Sequence, residues 1–97
     1  MKEVLKLGYI KLTVSINKDK KTNQYELSVE EVNILSCGIT KNKAIEEAID
    51  LIEETTKDYF ENLKENLSIY KMKRLYPYYL ELKDCSRSKI KNMLVIA

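Results

Sequence analysis

Between Ile10 and Ile16 apolar and polar residues alternate, with Ile10, Leu12, Val14 and Ile16 on one side and Lys11, Thr13 and Ser15 on the other. A period of two belongs to a strand with one buried face, so the run from Tyr9 to Ile16 predicts a first strand. Tyr25, Leu27 and Val29 alternate with Glu26, Ser28 and Glu30 and predict a second strand, and Val32 to Ser36 forms a less regular third extended segment. The stretch from Asn17 to Gln24 is polar throughout and rich in turn formers, so it reads as a mobile hairpin loop joining the first two strands of an antiparallel meander.

At Gly38 the period changes. Gly38 suits a tight or positive-φ turn, and Thr40 is placed to cap the first turn of a helix beginning at Lys41. Ile45, Ala48, Ile49, Ile52, Thr56, Tyr59, Phe60, Leu63 and Leu67 then recur at steps of three and four, with no proline or glycine among them. About 25 residues at ~1.5 Å each make a rod of roughly 37 Å, longer than a three-stranded sheet is wide. Its far end, carrying Tyr59, Phe60, Leu63 and Leu67, therefore needs a cover, either the segment Tyr76 to Leu82 folded back or a second copy of the chain.

Beyond Asn66 the pattern weakens. Tyr76, Tyr78, Leu80 and Leu82 alternate with Pro77, Tyr79, Glu81 and Lys83, which predicts an edge strand, although a short helix with Pro77 in its first turn fits the same residues. Asp84 or Ser86 is suited to cap a last short helix through Ile90 and Met93, with Met93 to Ile96 buried. These elements make one α+β domain over residues 1–97, its core in about 9–82, built as a three- or four-stranded antiparallel sheet with one long amphipathic helix on one face; 83–97 is the least defined part.

Charge refines this picture. The net charge of +2 conceals segments of +4 (residues 1–24), −1 (25–43), −6 (44–65) and +5 (66–97), so the helix is acidic and both flanks are basic. An acidic helix face is either a solvated surface or a docking surface for a basic partner. No apolar run has the length of a membrane span, and Met1 to Leu5 lacks the apolar core of a signal peptide, so a cytoplasmic location is expected. Cys37 and Cys85 are too far apart in sequence for a paired metal-ligand motif and are read as reduced, structural thiols, Cys37 as a buried one.

The chemistry of catalysis is missing from the composition. There is no histidine, which removes the commonest neutral-pH base and transition-metal ligand. Glu30–Glu31, Glu46–Glu47 and Glu53–Glu54 are paired carboxylates, but Glu46, Asp50 and Glu54 stack along one helical ridge instead of converging from separate elements. No glycine lies in a phosphate-binding pattern. No cofactor, metal or catalytic residue is expected. Lys71, Lys73 and Arg74, followed by Tyr78, form a basic cluster with aromatic neighbours, the ingredients of a nucleic-acid contact, against the plainer reading of tyrosines covering a small core.

The order strand, polar hairpin, strand, extended segment, then Gly38-Ile39-Thr40-Lys41-Asn42-Lys43-Ala44 opening a long helix resembles the HicB-like antitoxins, which have a partial ribonuclease-H-like fold without its catalytic carboxylates. Gly38, Thr40 and Ala44 match a Gly-x-Thr-x-x-Glu-Ala junction typical of that family, whereas Lys43 stands where Glu is usual, and Lys73 to Leu80 looks like a segment found in some of its short members. The resemblance implies an antitoxin that binds and blocks a small basic RNA-cleaving toxin, HicA-like, and that self-associates as a homodimer. The acidic residues Glu46, Asp50, Glu53, Glu54 and Asp58 are then the candidate toxin contacts, since opposed charge speeds encounter and disfavours wrong partners. The alternatives are a small nucleic-acid-binding module using Lys71, Lys73, Arg74 and Tyr78, and a non-catalytic interaction domain.

Overall fold

The computed structural model describes residues 10–96; Tyr9 of the expected first strand and the Met1 to Leu5 segment lie outside them. Three strands, β1 (Leu12–Asp19), β2 (Gln24–Val29) and β3 (Ile34–Gly38), form the antiparallel meander. A fourth, β4 (Leu94–Ile96), adds beside β1, giving the order β3-β2-β1-β4. The long helix α1 (Lys41–Glu61) packs on one face, and four short helices follow: α2 (Leu63–Ser68), α3 (Tyr70–Lys73), α4 (Tyr76–Leu82) and α5 (Arg87–Met93).

The expected loop from Asn17 to Gln24 shrinks to four residues. Asn17, Lys18 and Asp19 stay paired with Glu26, Tyr25 and Gln24, and the chain reverses through Lys20 to Asn23. Asn23 takes the left-handed backbone (φ 59°), which asparagine tolerates well, and its N–H donates to Asp19 C=O at 2.7 Å. The next reversal uses Asn33 in the same way (φ 56°), so Val32 is a buried turn residue and the third strand starts two positions later than the sequence suggests. Glu31 fastens this turn to β1: its carboxylate accepts from Thr13 N–H at 2.6 Å and from the Thr13 hydroxyl at 2.7 Å.

Alternation decides what each strand buries. Leu12 and Val14, Leu27 and Val29, and Ile34 and Ser36 face α1, and Ser36 is admitted to the core because its hydroxyl donates to Ala44 C=O at 2.8 Å. Cys37 points to the other face and is exposed, contrary to the buried thiol expected. Gly38 does not adopt positive φ. It is required for space: a Cβ there would lie 2.5 Å from Ala44 N and 2.8 Å from Lys43 C, both backbone atoms of the first helical turn.

Thr40 caps α1 as expected, its hydroxyl accepting from Lys43 N–H at 3.1 Å. Ala44, Ala48, Ile49, Ile52, Thr56 and Tyr59 form the buried stripe. The helix does not run on to Leu67. At Asn62 its backbone leaves the helical region (φ −118°, ψ 36°), and asparagine side chains take helical carbonyls: Asn62 Nδ2 donates to Asp58 C=O and Asn66 Nδ2 to Tyr59 C=O at 2.8 Å.

The chain then turns back, and residues 76–82 form a helix where an edge strand was expected. Pro77 sits in the first turn of α4, and the residues this helix buries, Tyr79 and Leu82, are three apart, whereas Leu80 of the apparent alternation stays 48% exposed. Tyr79 stacks on Tyr59 at 4.4 Å between ring centroids, Tyr76 meets Phe60 edge-on, and the Tyr59 hydroxyl donates to Met72 C=O at 2.7 Å. The cover for the end of α1 thus comes from the same chain.

Ser86 caps α5 and leads through buried Ile90 and Met93 into β4. This fourth strand runs parallel to β1, Leu12 beside Leu94 and Val14 beside Ile96, so the sheet is mixed and not wholly antiparallel. Val95 and Ile96 remain exposed, where the sequence suggested burial of the whole run from Met93.

Candidate partner-docking face

Glu46, Asp50, Glu53, Glu54 and Asp58 all lie on the solvent side of α1 and all are exposed. They follow from the same periodicity that buries Ala48, Ile49 and Ile52: what the core takes from one side of the helix leaves the carboxylates on the other. They do not form one uniform ridge. Arg87, in the first turn of α5, reaches across with Nη1 2.6 Å from Asp50 Oδ1 and 2.5 Å from Glu53 Oε1. The bonds to Asp50 and then Glu53 hold the guanidinium above its usual, already very high, pKa, so it stays charged.

Arg87 is a residue of this candidate face that the sequence did not single out. Its only local signal is its position directly after the Ser86 cap, three residues before buried Ile90, which turns it outward from α5. Its pairing with a helix more than thirty residues earlier is a property of the tertiary fold.

The bridge divides the acidic face. Towards the end of the chain's long helix, Glu54 and Asp58 are open to solvent. Towards its start, Glu46, Glu47 and Asp50 line a cleft of about 350 Å³ with Gly38, Ile39 and Lys43, beside the outer edge of β3. Glu47 Oε2 accepts there from Cys37 N–H at 3.4 Å. On the face of the sheet away from α1, Ser15, Asn17, Glu26, Ser28, Leu35 and Cys37 line a second cleft of about 450 Å³. Leu35, in the wall of the second cleft, is 75% exposed and Ile39, in the wall of the first, 69%, so each cleft carries an exposed aliphatic side chain beside its polar groups.

The basic candidates behave differently. Lys71 and Arg74 with half-buried Tyr78 line a cleft whose other wall is Glu30, Glu31 and Asn33, so carboxylates face the cations. Lys73 is exposed and does not line that cleft, and the guanidinium of Arg74 lies 6.0 Å from the ring of Tyr70 instead of Tyr78. The structure therefore does not bring Lys71, Lys73, Arg74 and Tyr78 together as one basic surface.

Among the described residues no three His, Cys, Asp or Glu side chains are grouped to hold a metal ion, and no helix is long and apolar enough to cross a membrane. Burial holds the hydroxyls of Tyr59 and Tyr79 above the usual tyrosine pKa, and burial likewise raises Cys85, whose thiol donates to Glu81 C=O at 3.1 Å.

The described residues thus form a mixed sheet with helices on one face and charged and apolar side chains lining clefts at its edge and open side. A family model described as PHD-like, antitoxin of toxin-antitoxin, RelE/RelB, TA system, matches residues 1–96, and the chain belongs to that antitoxin family. Among solved structures, the antitoxin part of a proposed toxin/antitoxin system from Syntrophomonas wolfei subsp. wolfei superimposes with a TM-score of 0.77 at 17% identity, over 90% of this chain. At that identity the likeness is one of fold. This chain spans 62% of the length of that structure. No curated protein matches.

Proposed function

We propose that this chain is the antitoxin of a two-component pair and acts by binding, not catalysis, occupying a small basic toxin that cleaves RNA. The observation that carries the reading is the outer face of α1, where Glu46, Glu54 and Asp58 stand exposed on a helix held rigidly against the sheet, within an antitoxin family. A preorganised row of carboxylates raises the encounter rate with a basic protein and opposes acidic ones. In this reading Asp50 and Glu53 reach the toxin only by exchanging Arg87 for one of its cations.

The finer identity of the toxin follows two lines. The family description names RelE, while the order of strands, hairpin and capped helix from Leu12 to Glu61 supports a HicB-like antitoxin and hence a HicA-like partner. Both propose one chemistry, a small cationic ribonuclease, working in the cytoplasm. Self-association is a separate proposal, now resting on the exposed Leu67, Ile69 and Tyr70, because α4 covers Tyr59 and much of Phe60; light scattering at micromolar concentration measures it. The nucleic-acid reading is less favoured, since Glu30 and Glu31 face Lys71 and Arg74.

The test is coexpression with a small basic protein, sought among the products of the neighbouring genes. Relief of growth arrest, and a purified complex whose affinity falls with salt, is the expected result. Glu54→Lys with Asp58→Lys should weaken the complex at least tenfold. Unrelieved arrest, or a charge-reversed variant as effective as the parent, refutes the reading.

A further inference from the structure

Among the described residues strand β3 has one edge with no strand paired to it, and two independent hydrogen bonds establish which of its groups line that edge. Glu30 N–H donates to Thr13 C=O, so Thr13 and, by alternation, Ser15 and Asn17 direct their backbone groups to β2. Their partners Ser28 and Glu26 then bond to β1, leaving Leu27 and Val29 to bond to β3 through Ser36 and Ile34. Leu35 and Cys37 accordingly turn their N–H and C=O groups away from the sheet. The bond from Cys37 N–H to Glu47 reports the same direction from the other side.

An outward row of backbone groups is a template for another strand. Here its Cys37 donor is met at 3.4 Å by a carboxylate oxygen of Glu47, in the place where a neighbouring strand would put a carbonyl. Among the described residues none covers Leu35 in this way, and its side chain is 75% exposed. We propose that the edge of β3 at Leu35 and Cys37 is a strand-addition site for an extended segment of a basic partner protein, in which Lys or Arg alternates with apolar residues.

The alternation follows from the two sides of that edge. A strand laid against β3 sends successive side chains to opposite faces. On the α1 side they meet Glu46, Glu47 and Asp50, which outnumber Lys43 in that cleft; on the open side they meet Leu35 and Cys37, with Glu26 farther across the sheet. Cations therefore suit one set of positions and apolar groups the other. Glu47, displaced from Cys37, becomes a counter-ion for the arriving strand. A second copy paired edge to edge fits less well, because the two-fold would bring Glu46 and Glu47 of both copies together. The inference rests on the antitoxin reading for its partner but concerns a different part of the surface from Glu54 and Asp58.

The probe is a blocked octapeptide of four Lys-Val repeats, titrated into the full-length isotope-labelled chain. Binding should shift the amide signals of Leu35 and Cys37 and slow hydrogen exchange at Leu35 at least tenfold, and the Glu-Val counterpart should not bind. Leu35→Pro deletes an outward N–H, which an edge strand tolerates, together with the exposed leucine side chain, and should weaken binding at least tenfold. An octapeptide N-methylated at alternate residues makes the same test without altering the protein. No binding, equal binding of the methylated peptide, shifts centred on Glu54 and Asp58, or shifts at Leu35 that depend on protein concentration without peptide each overturn the proposal. In the coexpression assay, neutralisation by the parent and equally by Leu35→Pro overturns the edge site and leaves the antitoxin reading standing. Failure of the parent to neutralise, with peptide addition at Leu35 intact, refutes the antitoxin reading and supports the edge.

Discussion

The stretch from Leu12 to Glu61 and the stretch from Asn62 to Met93 are built by different means. In the first, most elements are marked locally: the first two strands by alternation, the loop between them by its polar run, the helix by the Thr40 cap and an unbroken stripe, with the turn at Asn33 the exception. In the second, four short helices follow Asn62, separated by Ile69 and the segments around Arg74 and Lys83, and α2 and α3 bury no residue fully. They are held to the first stretch by Leu82, Ile90 and Met93 in the shared core, by Tyr79 on Tyr59, by the Tyr59 hydroxyl on Met72, and by Arg87 on α1. Local signals suffice where a helix or strand is long; a short helix is decided by what it packs against.

The sharpest way to break that contrast is to empty one core position in each stretch. Ile52→Ala, fully buried between α1 and the sheet, should cost about 2 to 5 kcal/mol, and Tyr79→Ala about 3 to 5 kcal/mol. If the second stretch is an integral part of the domain, denaturant melts of both variants stay single and two-state. A separate early transition for Tyr79→Ala alone would make residues 62–93 an independently melting unit.

Gly38→Ala should cost about 1 to 3 kcal/mol, because its Cβ would press on the backbone of Lys43 and Ala44 at the joint between β3 and α1. A melt indistinguishable from the parent would show that the joint relaxes freely. Thr40→Ala should cost roughly 1 kcal/mol through loss of the cap, and Ser86→Ala less, since its 3.3 Å bond serves a helix of only seven residues. An equal or larger loss for Ser86→Ala would reverse the ranking of the two stretches.

The smallest expected effect is a pH dependence. Burial opposes ionisation of Glu31, but bonds from the Thr13 hydroxyl, the Thr13 amide and its own amide outweigh it and hold the carboxyl below the usual glutamate value. A depressed folded-state pKa stabilises the protein above the unfolded value of 4.5, and this contribution is lost as the pH falls through the folded value. Melts of the parent between pH 6 and 3 should therefore lose more stability than those of Glu31→Gln. Parallel curves would mean that the clamp on Thr13 does not bias folding.

The same contrast explains what could be read from the sequence. The meander, the capped helix and the acidic face were legible because each rests on neighbours within four positions. The break at Asn62 was not: its asparagines look like ordinary polar helix residues until their side chains take Asp58 and Tyr59 carbonyls. Residues 76–82 misled because tyrosines spaced for helical packing also alternate by chance. Cys37 was assigned to the core although Ser36 is the residue admitted, and only the hydroxyl bond to Ala44 makes that choice. The Arg87 bridge and the free edge of β3 are relations between distant segments, with no local trace.

The parallel pairing of Leu12 with Leu94 also sets a timetable. At synthesis rates of about 5 to 20 residues per second, β1 leaves the ribosome roughly 4 to 16 seconds before the strand that will flank it exists. The meander and α1 can assemble in that interval, since their contacts are local and fast. The β4 side of β1 cannot be closed. Each new chain therefore passes through a stage with an extra bare sheet edge, and a chain stopped before Leu94 keeps it, which makes premature termination in this protein a route to strand-mediated aggregation as well as to loss of the final three residues of the sheet.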